Sequence, residues 1–360
     1  MVVGHDVGMA QVTLRDVAQA AGVSMATASR VLNGSARRPS EQISQRVRVA
    51  ARQLGYVPNA SAQALARSTS GLMGLVIQDL ENPYFSAIAS GFQRAAAAEG
   101  RLVLLSQTGG EEAATSAALR GMGAQRVDGV LVVGALNLDL SQQSGIRGLL
   151  SEISARGGGV VTVGQDHGVG TVLGPDDRAG GVSLAKAAVT AGYRRFAIVD
   201  DTARAPSAVA RSEGFVAGLR AAGLSVEHSV RGAVAVNSGG DIGTALVRYL
   251  HSHGGGGPLC FFAITDAIAV AVLGRAQQAG VRVPEDLGIM GFDGIRAGRD
   301  CCPSLTTVDL PLPEMGRRAF TLLRHSGDVE DEEMVPVGWR VDGRSITVPG
   351  RFRRGGTTLR

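Results

Sequence analysis

Lysine is almost missing from this chain: Lys186 is the only one among 36 basic residues, so the positive charge is carried by arginine, a mark of GC-rich coding. Cysteine is scarce too. Cys260 and the adjacent Cys301 and Cys302 offer neither a disulfide framework nor metal-ligand spacing, and read as reduced thiols. No apolar run approaches the ~18 residues a membrane span needs. The opening "MVVGHDVGMAQ" lacks the basic and long apolar regions of an export signal, so the cytoplasm is the expected compartment and no membrane partner is expected. Residues 1–11 read as a flexible N-terminus, with Met9 as an alternative start. There is no G-x-S-x-G, no phosphate loop and no Cys-His pairing, which removes the common signatures of an enzyme. His251 and His253, beside a glycine run, do not make a metal site, and no cofactor is expected.

With 360 residues, 44% of them hydrophobic, the chain can bury a large core and divides into two or three domains. Its charge is uneven. Residues 1–70 hold eight arginines against Asp6, Asp16 and Glu41, a net +5, and the closing "RFRRGGTTLR" adds +4 as a basic tail over 350–360. The intervening 71–350 is then −5. A basic head on a mildly acidic body suits a polyanionic partner for the head.

That head, residues 12–57, carries "VTLRDVAQAAGVSMATASRVLNG". Thr13 and Asp16 resemble a capping box, Val17, Ala18 and Ala21 sit at helical spacing, and Gly22 follows as a stop, which predicts a first helix over about 13–20. Ser24 is the next N-cap, residues 25–32 form a second short helix, and Asn33-Gly34 ends it. A third begins at Ser40, where Ile43, Val47, Ala50 and Leu54 repeat at 4, 3, 4 and are expected to close the small core. Two short helices joined by a tight turn place the second in the DNA major groove. Met25, Ala26, Ser29 and Arg30 lie on or near its outer edge. Arg30 can reach guanine in a bidentate contact, and Met25 and Ala26 offer apolar surface to a thymine methyl. Ser24, Thr27 and Asn33 suit phosphates. Thr13 and Asn59, which open the first helix and the tether helix, join the DNA-facing candidates.

The tether, 58–71, starts at the helix-breaking Pro58; "ASAQALA" favours a helix but is too short to stand alone. Leu65, its one large apolar side chain beside a basic head, is a candidate wedge for a minor groove.

From residue 72 apolar runs alternate with helical patterns, "LMGLVIQ" through "VVTVG", and the alternation restarts from "AGGVSLAKAAV" to "LGIMGFDG". Near-continuous apolar strands between amphipathic helices predict doubly wound parallel sheets, and two such series predict two α/β lobes with a ligand crevice at the carboxyl ends of their strands. The polar and aromatic residues just after strands or near the first crossover are the pocket candidates, Asp79, Phe85, Gln165, Asp166, Thr265, Asp266 and Asp293, together with Arg211, read as opening a helix after "IVDDTARAPSAVA". Carboxylates, an arginine and an aromatic suit a polyhydroxylated or charged small-molecule effector.

These residues resemble the lactose-repressor (LacI/GalR) family of bacterial transcription regulators. The likeness runs over 12–349, through the head motif, "YVPNASAQAL", "ENPYF", "RVDGVLVVG", "RSEGFVAGL", "AGVRVPEDLGIMGFDGI", "SLTTVDLPLPEMGRRA" and "GRSITVP". It implies an all-α helix-turn-helix head on a two-lobed body like periplasmic sugar-binding proteins. It further implies a homodimer, or a tetramer, on a double-stranded palindromic operator, acting as a repressor under a sugar-like effector. By the same likeness Leu65 is the intercalating leucine, Met25, Ala26 and Arg30 occupy operator-reading positions, and Phe85, Arg211, Thr265 and Asp293 match effector contacts. The chain departs from the pattern at Gln63, where arginine is usual, at Ala28 for valine, Thr265 for asparagine and Gly294 for aspartate. The competing readings are a transporter's solute-binding protein, which has no use for the head, and a cleft hydrolase, which lacks a motif.

Overall fold

A computed structural model of the chain describes residues 12–33, 39–57, 69–134, 140–201, 205–232, 239–253, 255–324 and 335–359. The chain forms two compact units, Met1–Ser70 and Gly71–Arg360. No helix among the described residues is long and apolar enough to cross a membrane.

In the first unit, α1 (Leu14–Ala20), α2 (Met25–Asn33) and α3 (Glu41–Gln53) follow the expected order. The Asp16 carboxylate accepts the Thr13 N–H at 2.8 Å while the Thr13 hydroxyl accepts the Asp16 N–H at 3.4 Å, so two orphan donors of the helix start are met reciprocally. Ser24 Oγ accepts the Thr27 N–H at 3.1 Å and starts α2 the same way. Val17 and Val47 are fully buried among Ala18, Ala21, Ala28, Ala50 and Ala51. Each buried valine contributes ~1.5–3 kcal/mol, and the alanines let the three helices approach closely. Ile43 packs half-buried against this cluster, but Leu54 does not join it: it is the C-cap of α3 and 38% exposed. The 4-3-4 spacing overruns the last helical turn, and Ala51 occupies the inner face instead. Met9, Gly34, Asn59, Gln63 and Leu65 lie outside the described residues.

The second unit has two lobes. Lobe 1 runs β1 (Leu72–Ile77), α4 (Pro83–Ala98), β2 (Leu102–Gln107), α5 (Glu112–Ala124), β3 (Gly129–Gly134), α6 (Leu140–Ala155), β4 (Gly159–Gly164) and β5 (Thr171–Pro175). These strands are parallel in the order β2-β1-β3-β4-β5. Lobe 2 follows with α7 (Asp177–Thr190), β6 (Arg195–Asp201), α8 (Pro206–Ala221), β7 (His228–Gly232), α9 (Gly239–His253), β8 (Leu259–Phe262), α10 (Asp266–Gln278), β9 (Leu287–Met290), α11 (Arg296–Asp300) and β10 (Thr307–Asp309). Its parallel order β7-β6-β8-β9 repeats the winding of lobe 1.

The lobes are not consecutive in sequence. From β10 the chain returns to lobe 1 as α12 (Leu312–Arg324), which packs on α4 and on β3 and β4. It then adds β11 (Arg340–Asp342) and β12 (Ser345–Val348) to the lobe 1 sheet, β12 parallel to β5 and β11 antiparallel to β12. A last crossing sends β13 (Arg351–Arg353) back to pair antiparallel with β10. The segment read from its charge as a basic tail is therefore folded: the Thr357 hydroxyl donates to Ile289 O at 2.7 Å and Ile289 N–H donates to Thr357 O at 2.8 Å, covering the edge of β9. Three crossovers, at 175–177, 309–312 and 348–351, join the lobes.

Candidate functional site

On the head, the outer edge of α2 is open. Met25 is 50% exposed, Ala26 and Arg30 are exposed, Thr27 and Ser29 are half-buried, and Ala28 is fully buried under them. Residues 25, 26, 29 and 30 share one helical face because neighbours three and four apart align. The Ser24 and Thr27 hydroxyls lie 2.9 Å apart, and that of Ser24 caps the helix.

In the body, the carboxyl ends of β1 and β3 in lobe 1, and of β6 and β8 in lobe 2, are the switch points where neighbouring helices leave in opposite directions. Asn82 caps α4, accepting the Tyr84 N–H at 3.0 Å, and so sets Tyr84 and Phe85 on its first turn. Their rings meet edge to face at 5.2 Å, and Phe85 is 8% exposed.

From lobe 2, α8 presents Arg211, 4% exposed. Its position is fixed by backbone contact: a Cβ on Gly181 of α7 would lie 2.3 Å from Arg211 O, so only glycine lets the two helices touch there. Arg211 Nε donates to Asp177 at 2.7 Å and Nη1 donates to Ile264 O at 3.1 Å. The guanidinium sits 4.0 Å over the Phe292 ring, and Nη1 stands 2.9 Å from Asp293 Oδ1. That last contact is a buried ion pair, and the Asp293 carboxylate keeps acceptor capacity beyond it. Ile264 and Asp293 have φ of 67° and 114°, a region costly for any residue with a Cβ and most of all for a β-branched one; such strain concentrates at functional sites.

The charges are strongly coupled. Burial opposes the Arg211 charge, but the Asp293 and Asp177 carboxylates outweigh it and hold the guanidinium pKa above its usual value. Burial raises Asp177 against the pull of Arg211, and pushes Asp293 up to about 6. Burial also raises the Tyr84 phenol, which lies within electrostatic reach of Arg211, Asp293 and Asp177. Lobe 1 and lobe 2 thus share this site.

The remaining candidates are placed differently. Thr265 caps α10, accepting the Ile268 N–H at 3.3 Å. Asp266 is fully buried behind the site: Oδ2 accepts the Gly294 and Ile295 N–H groups at 2.8 and 2.9 Å, and Oδ1 accepts the Thr307 hydroxyl at 2.6 Å. Burial and the Asp293 charge push it up to about 8. Asp79 accepts the Glu81 N–H at 2.9 Å within its own turn. Gln165 is half-buried just past β4, and Asp166 is exposed, paired with Arg344. Tyr84, Asp177 and Phe292 are site residues the sequence reading passed over. Tyr84 and Phe292 adjoin the selected Phe85 and Asp293, and Asp177 follows a strand, as the chosen candidates do.

Residues 13–59 match the bacterial regulatory proteins, lacI family, and residues 185–346 match the periplasmic binding protein-like domain. The ribose operon repressor of Escherichia coli (strain K12) is 31% identical over 322 residues, 87% of this chain and 92% of the relative. A lacI-family regulator from Silicibacter pomeroyi superposes with a TM-score of 0.75 at 27% identity, covering 97% of this chain and 100% of that one. The lac repressor dimer bound to operator and an anti-inducer superposes at 0.81 with 22% identity, covering 98% and 100%. With the head, the paired switch-point lobes and these likenesses in agreement, the chain belongs to the lacI family of bacterial regulatory proteins and is a DNA-binding transcriptional repressor rather than an enzyme.

Proposed function

We propose that this repressor binds a palindromic operator as a homodimer in the cytoplasm, and that a neutral polyhydroxylated molecule, a pentose in the first instance, is its effector. On the head, Arg30 reads one base pair through the major groove with Ser29 on the same edge, Met25 and Ala26 meet apolar base edges, and Thr13, Ser24, Thr27, Asn33 and Asn59 fix register on the backbone. Leu65 wedges into the minor groove. Dimerisation places two such heads on half-sites about one helical turn apart.

The observation that carries the effector class is the buried pair of carboxylates, Asp177 and Asp293, held around the single Arg211 guanidinium. A hydroxyl donates to the acceptor capacity that a carboxylate keeps beyond one ion pair. Two carboxylates, Asp177 and Asp293, face the single Arg211 charge, so an anionic ligand meets net repulsion while a neutral polyol meets both donors and acceptors. Phe85 and Tyr84 supply aromatic surface for the apolar face of a ring, and the ribose operon repressor relative makes D-ribose the first compound to try.

The test is thermal shift and calorimetry of the full-length protein with D-ribose, other neutral sugars and their phosphates, together with operator affinity measured with and without each. Neutral sugars are expected to stabilise the protein in proportion to the logarithm of concentration over Kd. A sugar phosphate that binds more tightly than its parent sugar overturns the assignment.

A further inference from the structure

Gly294, where the family resemblance leads to an expectation of aspartate, sits between the effector site and an interlobe crossover. Its φ is +75°, and a Cβ there would lie 2.5 Å from Asp309 Oδ1 and 2.7 Å from Asp309 Cα. Only glycine admits the crossover this close. Asp309 turns its carboxylate to Arg353, whose Nε donates to both oxygens at 2.9 and 3.1 Å, and Arg299 Nη2 donates to Oδ2 at 3.2 Å. Arg353 also donates through Nη1 to Leu305 O at 3.1 Å.

This pair joins two crossovers, since Asp309 ends β10 and Arg353 follows the crossing at 348–351. The effector site is bonded to the same place. Asp293 N–H donates to Val308 O at 3.0 Å and Leu310 N–H donates to Asp293 O at 3.1 Å, one bond on each side of Asp309. The remaining crossover closes the ring: Arg211 holds Asp177 as well as facing Asp293, and Asp176 N–H donates to Val348 O at 2.9 Å. Asp309 and Arg353 are only 20% and 24% exposed, so their attraction is screened far less than that of a surface pair.

We propose that the Asp309–Arg353 ion pair, admitted by Gly294, latches the second and third crossovers to Asp293 and thereby sets how readily the lobes swing and the repressor holds its operator. Asp309 and Arg353 are positioning residues, acting on the ligand only through the backbone of Asp293. Crossover segments are where a hinge absorbs its dihedral changes, so a bond between β10 and β13, the strands that flank two of them, resists that motion. This inference rests on the effector reading proposed above.

The test compares the full-length parent with Asp309→Asn, Arg353→Gln, the double variant and Arg353→Lys. Hydrogen exchange is followed by mass spectrometry on peptides covering residues 291–311, and affinity is measured for a palindromic duplex selected on the parent. Each of the first two variants is expected to exchange about tenfold faster in these peptides and to change operator affinity at least ~5-fold without effector, within the usual range of allosteric coupling. The double variant is expected to be no worse than the worse single, because the pair acts as a unit. Arg353→Lys, which keeps the charge but loses the two-pronged contact, is expected to fall between and covers the case in which Asp309→Asn does not fold. Parent-like exchange, accelerations that multiply in the double variant, or faster exchange with unchanged operator affinity each overturn the latch. A parent protein that ignores D-ribose and other neutral sugars, with the latch effects intact, overturns the effector reading alone.

Discussion

Arg211 Nη1 and Asp293 Oδ1 lie 2.9 Å apart, each side chain only 5% exposed, which makes them a buried ion pair. Taking both charges out of water costs free energy that their attraction has to offset, and the strained backbone of Asp293 adds to the cost. Binding that adds a hydroxyl donor to the carboxylate recovers part of the desolvation cost.

Asp293→Asn is therefore expected to keep the fold and the operator affinity without effector, because asparagine tolerates positive φ and matches the shape. It is expected to weaken effector binding by about tenfold, or ~1.4 kcal/mol, in line with loss of a charge-assisted hydrogen bond. Arg211→Ala is harsher: it strands Asp177 and Asp293, and breaking a buried pair costs ~3–5 kcal/mol of stability. Calorimetry with the confirmed effector and denaturant unfolding separate the two; parent-like binding by Asp293→Asn removes Asp293 from the site.

Asp266 makes stability depend on pH. Its folded carboxyl titrates at about 8, whereas an unfolded one titrates near ~4. Between these values the folded protein holds a proton that the unfolded chain has lost, so this contribution is fully present below ~4 and is lost as pH rises through 8. Asp266→Asn can accept from Gly294 and Ile295 through its oxygen and donate to Thr307 through its nitrogen. It is expected to flatten the fall in stability between pH 5 and 8, as read by urea unfolding at several pH values; a parent-like slope contradicts the role.

On the head, Arg30→Ala is expected to relax preference at one base position and cost ~1–3 kcal/mol on the operator. Ser24→Ala removes the acceptor for the Thr27 N–H and is expected to cost ~1 kcal/mol of head stability while leaving base preference intact. Binding selections on both variants decide this, and a loss equal on specific and random DNA for Arg30→Ala refutes base reading.

Thr357→Val is expected to destabilise the body by ~1–3 kcal/mol, since it strands the Thr306 N–H that donates to Thr357 Oγ1 at 2.9 Å and removes the donor to Ile289 O. Deleting residues 350–360 is expected to cost more, because it uncovers β9 and removes β13. Thermal unfolding of the body checks both; an unchanged Tm on deletion means that the segment contributes charge alone.

The local chemistry of this chain was legible in its order of residues. Thr13 with Asp16, Ser24 before Met25, and apolar runs alternating with helical patterns specify caps, turns and periodicities that act over a few residues. For that reason the helix-turn-helix and the repeated α/β winding could be read directly. Phe85 and Asp293 could be singled out because they come after strand ends, the place where open parallel sheets expose polar groups; Arg211, read as opening a helix, instead stands in the second turn of α8. Tertiary structure alone decided what those residues meet. Asp177, Arg211 and Asp293 are far apart in sequence, and their union depends on close helix packing at Gly181 and on crossovers that interleave the lobes. Asp266 has the composition of a ligand contact but is consumed by backbone amides 28 and 29 residues away. The closing arginines carry charge that suggests a free tail, yet Arg353 is spent on Asp309, 44 residues back. A sequence fixes which groups can bond; which partner each finds depends on the distances that folding sets between segments remote along the chain.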